Sequence, residues 1–366
     1  MKKMDEVRKE LQDFLEIDSI KKVTIISDND EDGITSAAQV KRYFEKKKIE
    51  SKVIFYNHHT RMNENSKKTF FDFNGEKTVF LDLADDFVIE VLEDLGDIGD
   101  VIVLDHHSKR TLAENKSLRI IKPNEYSTIE PSQYPASKMA YDLFEGTDWL
   151  ASIGIIGDSG RVTWDAFIKS SAKNNSLTLE ELDKLADIVS CIISQYREKI
   201  PPLLDFLVQT NDPKELFKTD FAKLNAEFQK MLDGEINRFG KDSENYPELS
   251  LSIFRTNYQF TSKLSNLISQ KYPSRTIIIV NHKDEKCNVS LRNHNASVEE
   301  IRNKEKLIDC AELAIEATKN IVGGKGGGHI PAAGASFPEE SFEEFKNKVI
   351  ELIKKKKKVN GLPKAK

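Results

Sequence analysis

The segment Asp28-Asn29-Asp30-Glu31-Asp32-Gly33-Ile34-Thr35 places three aspartates at alternate positions of one turn. Carboxylates crowded in this way repel one another unless cations intervene. Hard divalent metals are the natural partners of clustered carboxylate oxygens. A solvated acidic loop is the plainer alternative for this segment taken alone. Three further segments repeat the theme. Thr78-Val79-Phe80-Leu81 ends in Asp82, Val101-Ile102-Val103-Leu104 runs into Asp105-His106-His107, and Ile153-Gly154-Ile155-Ile156-Gly157 ends in Asp158. Neutral imidazole suits manganese and zinc, and carboxylate suits manganese and magnesium. One histidine beside a strand end is usually just hydrogen-bonded. Four acidic or histidine clusters together point to a metal centre.

The elements around these clusters read as alternating strand and helix. Apolar runs and helical spacing appear in turn over residues 23–27, 34–44, 51–56, 78–81, 87–95 and 101–104, which predicts a parallel sheet with helices on both faces. The acidic clusters then fall at strand ends, where an open α/β sheet presents its ligand crevice. Residues 4–15 read as an amphipathic helix with Val7, Leu11, Phe14 and Leu15 on one face, and 124–135 as a turn-rich loop. Helices over 136–143 and 149–156 would carry Asp158 back towards the crevice. Charged helical segments over 179–233, interrupted by Pro201-Pro202, look like a connector. A second α/β domain begins at about Pro247, with strands over 249–255, 275–281 and 287–292 and a helix through Leu307, Ala311, Ala314 and Ile315.

Near the end of that domain lies Gly323-Gly324-Lys325-Gly326-Gly327-Gly328-His329-Ile330-Pro331-Ala332-Ala333-Gly334-Ala335-Ser336. Glycines let the backbone approach a ligand, and a row of exposed amides forms a nest for an anion such as phosphate. A flexible turn is the alternative. Arg292, leaving a strand, suggests the other half of a phosphate clamp, since guanidinium grips phosphate bidentately.

Taken in order, Asp30-x-Asp32-Gly33, Asp82, Asp105-His106-His107 and Gly157-Asp158 resemble the motifs of the DHH phosphoesterases. Val289-Ser290-Leu291-Arg292 and the glycine-rich segment resemble that family's companion domain, DHHA1. The resemblance covers about Ile20 to Phe337. The opening Asp-x-Asp-x-Asp-Gly looks most like the RecJ-type branch, and the length like the compact archaeal RecJ-like nucleases. The resemblance implies an α/β fold in three parts: a DHH catalytic domain over residues 1–190, a helical connector over 191–245, and a smaller DHHA1 substrate-binding domain over 246–366, with the active-site cleft between the domains. It also implies two Mn2+ ions, or Mg2+, held by Asp30, Asp32, Asp82, His106 and Asp158, with Asp82 bridging. Asp28 would be a further ligand or a hydrogen-bonding neighbour. Asp105 would orient a histidine, and His107 would act on the scissile phosphate. Arg292, Gly326, Gly327, Gly328 and His329 would contact substrate. The chain departs from many relatives at Ile26, where they carry a histidine four residues before the first aspartate of the pair. His58-His59 could compensate, with a polar strand end near Arg61 as the equal alternative.

The activity implied is end-directed hydrolysis of single-stranded DNA or RNA to mononucleotides, in repair or replication. The alternatives are a phosphodiesterase for short oligoribonucleotides, cyclic dinucleotides or adenosine bisphosphate, and a replication-associated binding subunit. Replication or repair proteins and a second copy of the chain are the open protein partners. Composition sets bounds on this. A chain of 366 residues, 39% hydrophobic, can bury two cores. No apolar run is long enough to span a bilayer, and Met1-Lys2-Lys3 is followed by charge, so a cytoplasmic setting is expected. Cys191, Cys287 and Cys310 form no CxxC pair, which argues against a disulfide framework or zinc ribbon. The net charge of −5 argues against a protein that coats nucleic acid, but not against a nuclease with a local basic surface. Lys354 to Lys358 read as a solvated helix end or a nucleic-acid contact. Phe254, Tyr258 and Phe260 read as core or as base-stacking groups.

Overall fold

The computed structural model describes residues 1–56, 62–107, 111–246, 249–293 and 308–360, the last five through their backbone alone. Among the residues outside it are His58, His59, Arg61, Pro247 and Leu307. The chain divides into two compact units, Met1–Ala226 and Glu227–Lys366.

In the first unit, strands β1 (Lys22–Ser27), β2 (Glu50–Phe55), β3 (Lys77–Leu81), β4 (Asp100–Leu104) and β5 (Leu118–Ile121) form a parallel sheet of order β2-β1-β3-β4-β5. Alternation sends Val23, Ile25, Val79, Leu81, Ile102 and Leu104 to one face and Ile26, Phe80, Val101 and Val103 to the other. Both faces are covered, which is why the strands read as continuous apolar runs. Helices α1 (Met4–Leu15) and α2 (Glu31–Lys46) pack on the first face, and α3 (Glu64–Phe73) and α4 (Asp85–Leu95) on the second. Helices α5 (Ala136–Leu143), α6 (Asp148–Gly157), α7 (Asp165–Asn174), α8 (Leu179–Gln195) and α9 (Ile200–Gln209) extend the first core.

The segment expected as a connector, 191–245, is divided between the units. Ile192, Ile200, Leu203, Leu207 and Leu216 are buried in the first core, and α10 (Asp220–Asp242) carries the chain into the second unit. There Phe228, Leu232 and Phe239 are buried. The charges of this segment lie on the outer faces of amphipathic helices whose apolar stripes are inside.

The second unit is built on a mixed sheet of order β10-β11-β9-β8-β7-β6. Its strands are β6 (Glu244–Tyr246), β7 (Leu249–Phe254), β8 (Thr276–Lys283), β9 (Lys286–Asn293), β10 (Lys325–His329) and β11 (Ala332–Pro338). One face, carrying Ile278, Val280, Cys287, Val289, Leu291 and Phe337, packs on α12 (Cys310–Thr318) and α13 (Phe342–Asn360). On the other face lies α11 (Thr261–Lys271), where the Ser265 and Ser290 hydroxyls are 2.7 Å apart. Phe254 and Phe260 are buried and stacked with centroids 5.1 Å apart, which settles their role as core. Among the described residues no helix is long and apolar enough to cross a membrane.

Candidate functional site

In the first sheet β1 lies between β2 and β3, so the direction of winding reverses at β1. A crevice opens at the carboxyl ends of strands at such a point. Asp28 follows β1 and Asp82 follows β3, so both carboxylates fall there.

The turn from β1 into α2 is held by its own side chains. Asp30 caps α2, accepting a hydrogen bond from the Gly33 amide at 2.9 Å. The Ser27 hydroxyl donates to the Gly33 carbonyl at 2.8 Å. Gly33 passes so close to the Asp28 backbone that a side-chain carbon there would strike the Asp28 carbonyl. Asp32 is buried inside the first turn of α2, and its two oxygens accept the Ala136 and Ser137 amides at 2.6 and 2.9 Å. The N-terminus of α5 thus orients Asp32. Helix α5 is itself fixed by Lys138, whose buried ammonium is 2.5 Å from Asp142 and about 5 Å from the ring centres of Tyr141, Trp164 and Phe167.

Asp82 occupies the left-handed backbone region, with φ of 58°. That conformation costs a non-glycine residue about 1 kcal/mol or more, and such strain clusters at functional sites. Its Oδ1 is buried, lies 3.2 Å from His106 Nε2, and has no hydrogen-bond donor among the described residues. His106 Nε2 is also 3.9 Å from Asp158, which ends α6.

Three overlapping sets of ligand atoms each come within 4.8 Å of one another: Asp28, Asp30 and Asp82; Asp82, His106 and His107; Asp32, His106 and Asp158. Every carboxylate and imidazole expected to bind metal belongs to one of them. Asp82 is in two. Burial and the charges of Asp28 and Asp32 push Asp30 up to about 7. Burial, with Asp32, Asp30 and Asp28, raises Asp82 well above the usual carboxylate range. Burial and Asp32 push Asp158 up to about 6. Carboxylates gathered this closely, with cationic groups few among them, fit a pair of hard divalent cations, which would supply positive charge.

Beside this group, Asp105 is fully buried and bonded to His107 Nδ1 at 2.6 Å. The Lys122 ammonium lies 2.7 Å from Asp105, 2.8 Å from the His107 carbonyl and 3.3 Å from Asp85. Burial works to raise the Asp105 carboxyl, but its hydrogen bond to His107 and the charges of His107 and Lys122 outweigh it and hold it low. The bond to Asp105 raises His107 in return. Lys122 and Asp85 escape a reading of the sequence by type and spacing. The available signal is positional, since Lys122 follows β5 just as the aspartates follow β1, β3 and β4.

In the second unit the glycine-rich segment is an edge strand, β10, paired antiparallel with β11, and not the amide nest expected from its composition. Gly326, Gly327 and Gly328 line a cavity of about 580 Å³ with Arg292, Lys325, Ser336 and Asn288. Arg292 donates to Ser262 at 2.9 Å, while its buried Nε has no partner among the described residues. His329 is exposed and sits in one row with Ala332 and Arg292. A side-chain carbon on Gly326 would strike the Ala314 carbonyl of α12, whereas one on Gly327 would meet nothing. Packing requires the first glycine and leaves the second to explain.

A model of the DHH family, N-terminal domain, matches residues 22–157, and a model of the DHHA1 domain matches 251–355. Exonuclease RecJ bound to manganese is similar in structure, with a TM-score of 0.66 at 15% identity, covering 99% of this chain and 96% of that one. RecJ from Thermus thermophilus in complex with Mn2+ gives 0.63 at 16%, covering 96% of this chain and 55% of that one. CDC45 from Entamoeba histolytica gives 0.57 at 13%, covering 95% and 98%. At such identities the likeness is one of fold. No curated protein matches the chain.

Proposed function

The chain belongs to the DHH family of phosphoesterases, with a DHHA1 domain and a RecJ-like fold, and on that premise we propose that it is a metal-dependent exonuclease that hydrolyses single-stranded DNA or RNA from an end to mononucleotides, in repair or replication. The observation that carries this reading is the buried, donor-free Asp82 oxygen among the carboxylates of Asp28 and Asp30 and the imidazole of His106. Asp28, Asp30, Asp32, Asp82, His106 and Asp158 would hold two ions, Mn2+ or Mg2+. Such a pair, when bound, activates water and neutralises charge on the phosphate under attack.

The chain's own groups do the rest. Asp32 is held by the α5 amides, so its oxygens need no reorganisation. His107 has Nδ1 tied to Asp105, which leaves Nε2 to donate to a phosphate oxygen. The bond to Asp105 raises the His107 pKa, which favours the imidazolium that carries that proton. In the second unit, Arg292 supports phosphate binding and the side-chain-free Gly327 a flat floor for a sugar or base.

The test is direct. Purified protein with Mn2+ is given 5′- and 3′-labelled single strands of DNA and RNA, with cyclic di-AMP and adenosine bisphosphate as small controls. Mononucleotide release from long strands, lost in Asp82→Ala, is expected. Hydrolysis of the small controls alone, or full activity in Asp82→Ala, overturns the reading.

A further inference from the structure

Strand register orders the open face of the second sheet into rows. One row holds His329, Ala332 and Arg292, and the next holds Gly327, Gly334 and Ser290. Then come Lys325, Ser336, Asn288 and Asn281, and finally Pro338, Lys286 and Lys283. Successive rows are two residues apart, about 7 Å, so Arg292 and Lys286 stand about 20 Å apart along β9. Helix α11 covers this face over β8 and reaches Ser290, and its first residues, Thr261 and Ser262, border the part left open.

Two cavities lie on that open part. The first, at the glycine and Arg292 rows, is the one already described. The second, of about 570 Å³, is lined by Tyr258, Lys283, Asp284, Lys286 and Asn281 among others. Thr261, Ser262 and Asn288 line both, so the two are one continuous trough. Its outer wall is built rather than incidental. Asn281 accepts from the Thr256 amide at 3.1 Å and donates to the Thr256 carbonyl at 3.1 Å, which fixes the turn that carries Tyr258. Lys283 is held over the same turn through the Asn257 carbonyl at 3.1 Å. Lys286 is exposed, and Asp284 is the one acid among the residues lining this cavity.

We propose that this trough is a track for several nucleotides of a single strand, with a first phosphate at Arg292 and a later one at Lys283 and Lys286. This rests on the proposed nuclease reading and adds to it that the second unit binds a run of strand and not one terminal nucleotide. Stacked nucleotides rise about 3.4 Å each, so a span of about 20 Å holds several. The floor between the ends is small and polar, made by Gly327, Gly334, Ser336 and Asn288. The half-buried Tyr258 ring beside the lysines offers a stacking surface indifferent to sequence.

The test compares the Mn2+-loaded full chain with the Lys283→Glu/Lys286→Glu variant, whose two positions flank the Asp284-Glu285 turn between β8 and β9. Binding of fluorescent single strands two and six nucleotides long, with phosphorothioate linkages to hold off hydrolysis, is followed by anisotropy at several salt concentrations. In the wild type the six-mer binds more tightly than the two-mer. The variant loses about ten-fold on the six-mer, keeps the two-mer, and shows a salt slope shallower by about 0.7, as expected for the one lost phosphate contact. An unchanged six-mer affinity in the variant, or no gain with length in the wild type, overturns the track. Hydrolysis of unmodified strands is measured in parallel. Length-dependent, charge-dependent binding without hydrolysis would overturn the proposed activity and leave the track standing. Hydrolysis without length dependence removes the track alone.

Discussion

Asp105 holds His107 by a 2.6 Å bond to Nδ1, the carboxylate fully buried and the imidazole about half exposed. That bond raises His107, so the imidazolium persists to higher pH than it would alone. Asp105→Asn keeps an acceptor at the same place and removes the charge, so His107 should titrate at lower pH. The alkaline limb of the rate profile should move down in pH, and kcat should fall about 10–100-fold with Mn2+ binding retained. A pH–rate profile beside an NMR titration of the histidines checks this. An unmoved limb would remove His107 as proton donor.

The Lys122 ammonium compensates two buried carboxylates, Asp105 and Asp85. Breaking a buried pair costs about 3–5 kcal/mol, because the remaining charge stays in a poor solvent. Asp85 keeps the Thr111 and Leu112 amides at 2.7 and 3.0 Å, so Lys122→Met should sit near the lower end, about 3 kcal/mol. Urea unfolding measures it.

Asp82 and Asp32 are both buried, and they should respond oppositely to loss of charge. Asp82 is left-handed and crowded by like charge, and its buried Oδ1 has no donor among the described residues. Asparagine tolerates that backbone. Asp82→Asn should raise the melting temperature of the metal-free protein, by about 1 kcal/mol of stability, while abolishing hydrolysis. Asp32→Ala strands the Ala136 and Ser137 amides and should lose about 1–3 kcal/mol. Thermal melts in EDTA separate the two, and a destabilised Asp82→Asn would show the site to be structural.

Asp30 and Asp158 carry pKa values of about 7 and about 6 in the folded, metal-free protein, against about 4 when unfolded. The folded state therefore binds more protons than the unfolded one across that window. Stability of the stripped protein should fall as pH rises from about 4 to about 7. Asp105, held low, works in the opposite sense, and its contribution is lost only as pH drops below the ordinary aspartate range. Metal and protons compete for the same oxygens, so the gain in melting temperature on adding Mn2+ should grow with pH over the same interval. Fluorimetric melts at fixed Mn2+ check both slopes. A flat response would mean that the aspartates do not share one site.

The first half of the site is legible from sequence because every metal-ligand candidate follows an apolar run or a helix with clear spacing. Lys122 is not, because Leu118-Arg119-Ile120-Ile121 is short and polar on both flanks, so no strand announces itself. The glycine strand is invisible for a different reason. Alternation needs side chains, and Lys325-Gly326-Gly327-Gly328-His329 offers three residues without any. Only pairing with Ala332–Pro338 makes it a strand. The segment over 191–245 reads as a connector because charge on the outer faces of its helices hides the stripe of Ile192, Leu203 and Leu207, which belongs to the first core.

Neighbouring glycines of that strand give the last prediction, because their two faces meet different things. Gly326 faces α12, where an added carbon collides with the Ala314 carbonyl, so Gly326→Ala must push strand and helix apart. Overpacking of this kind costs about 1–3 kcal/mol. Gly327 faces the open trough and an added carbon meets nothing, so Gly327→Ala should melt within about 0.5 kcal/mol of the wild type. If that face binds substrate, the same methyl stands where a sugar or base must lie, and KM for a single strand should rise several-fold while kcat holds. A rise in KM without a stability change assigns the smallness of residue 327 to the ligand; an unchanged KM would return this glycine to the backbone and move the substrate elsewhere.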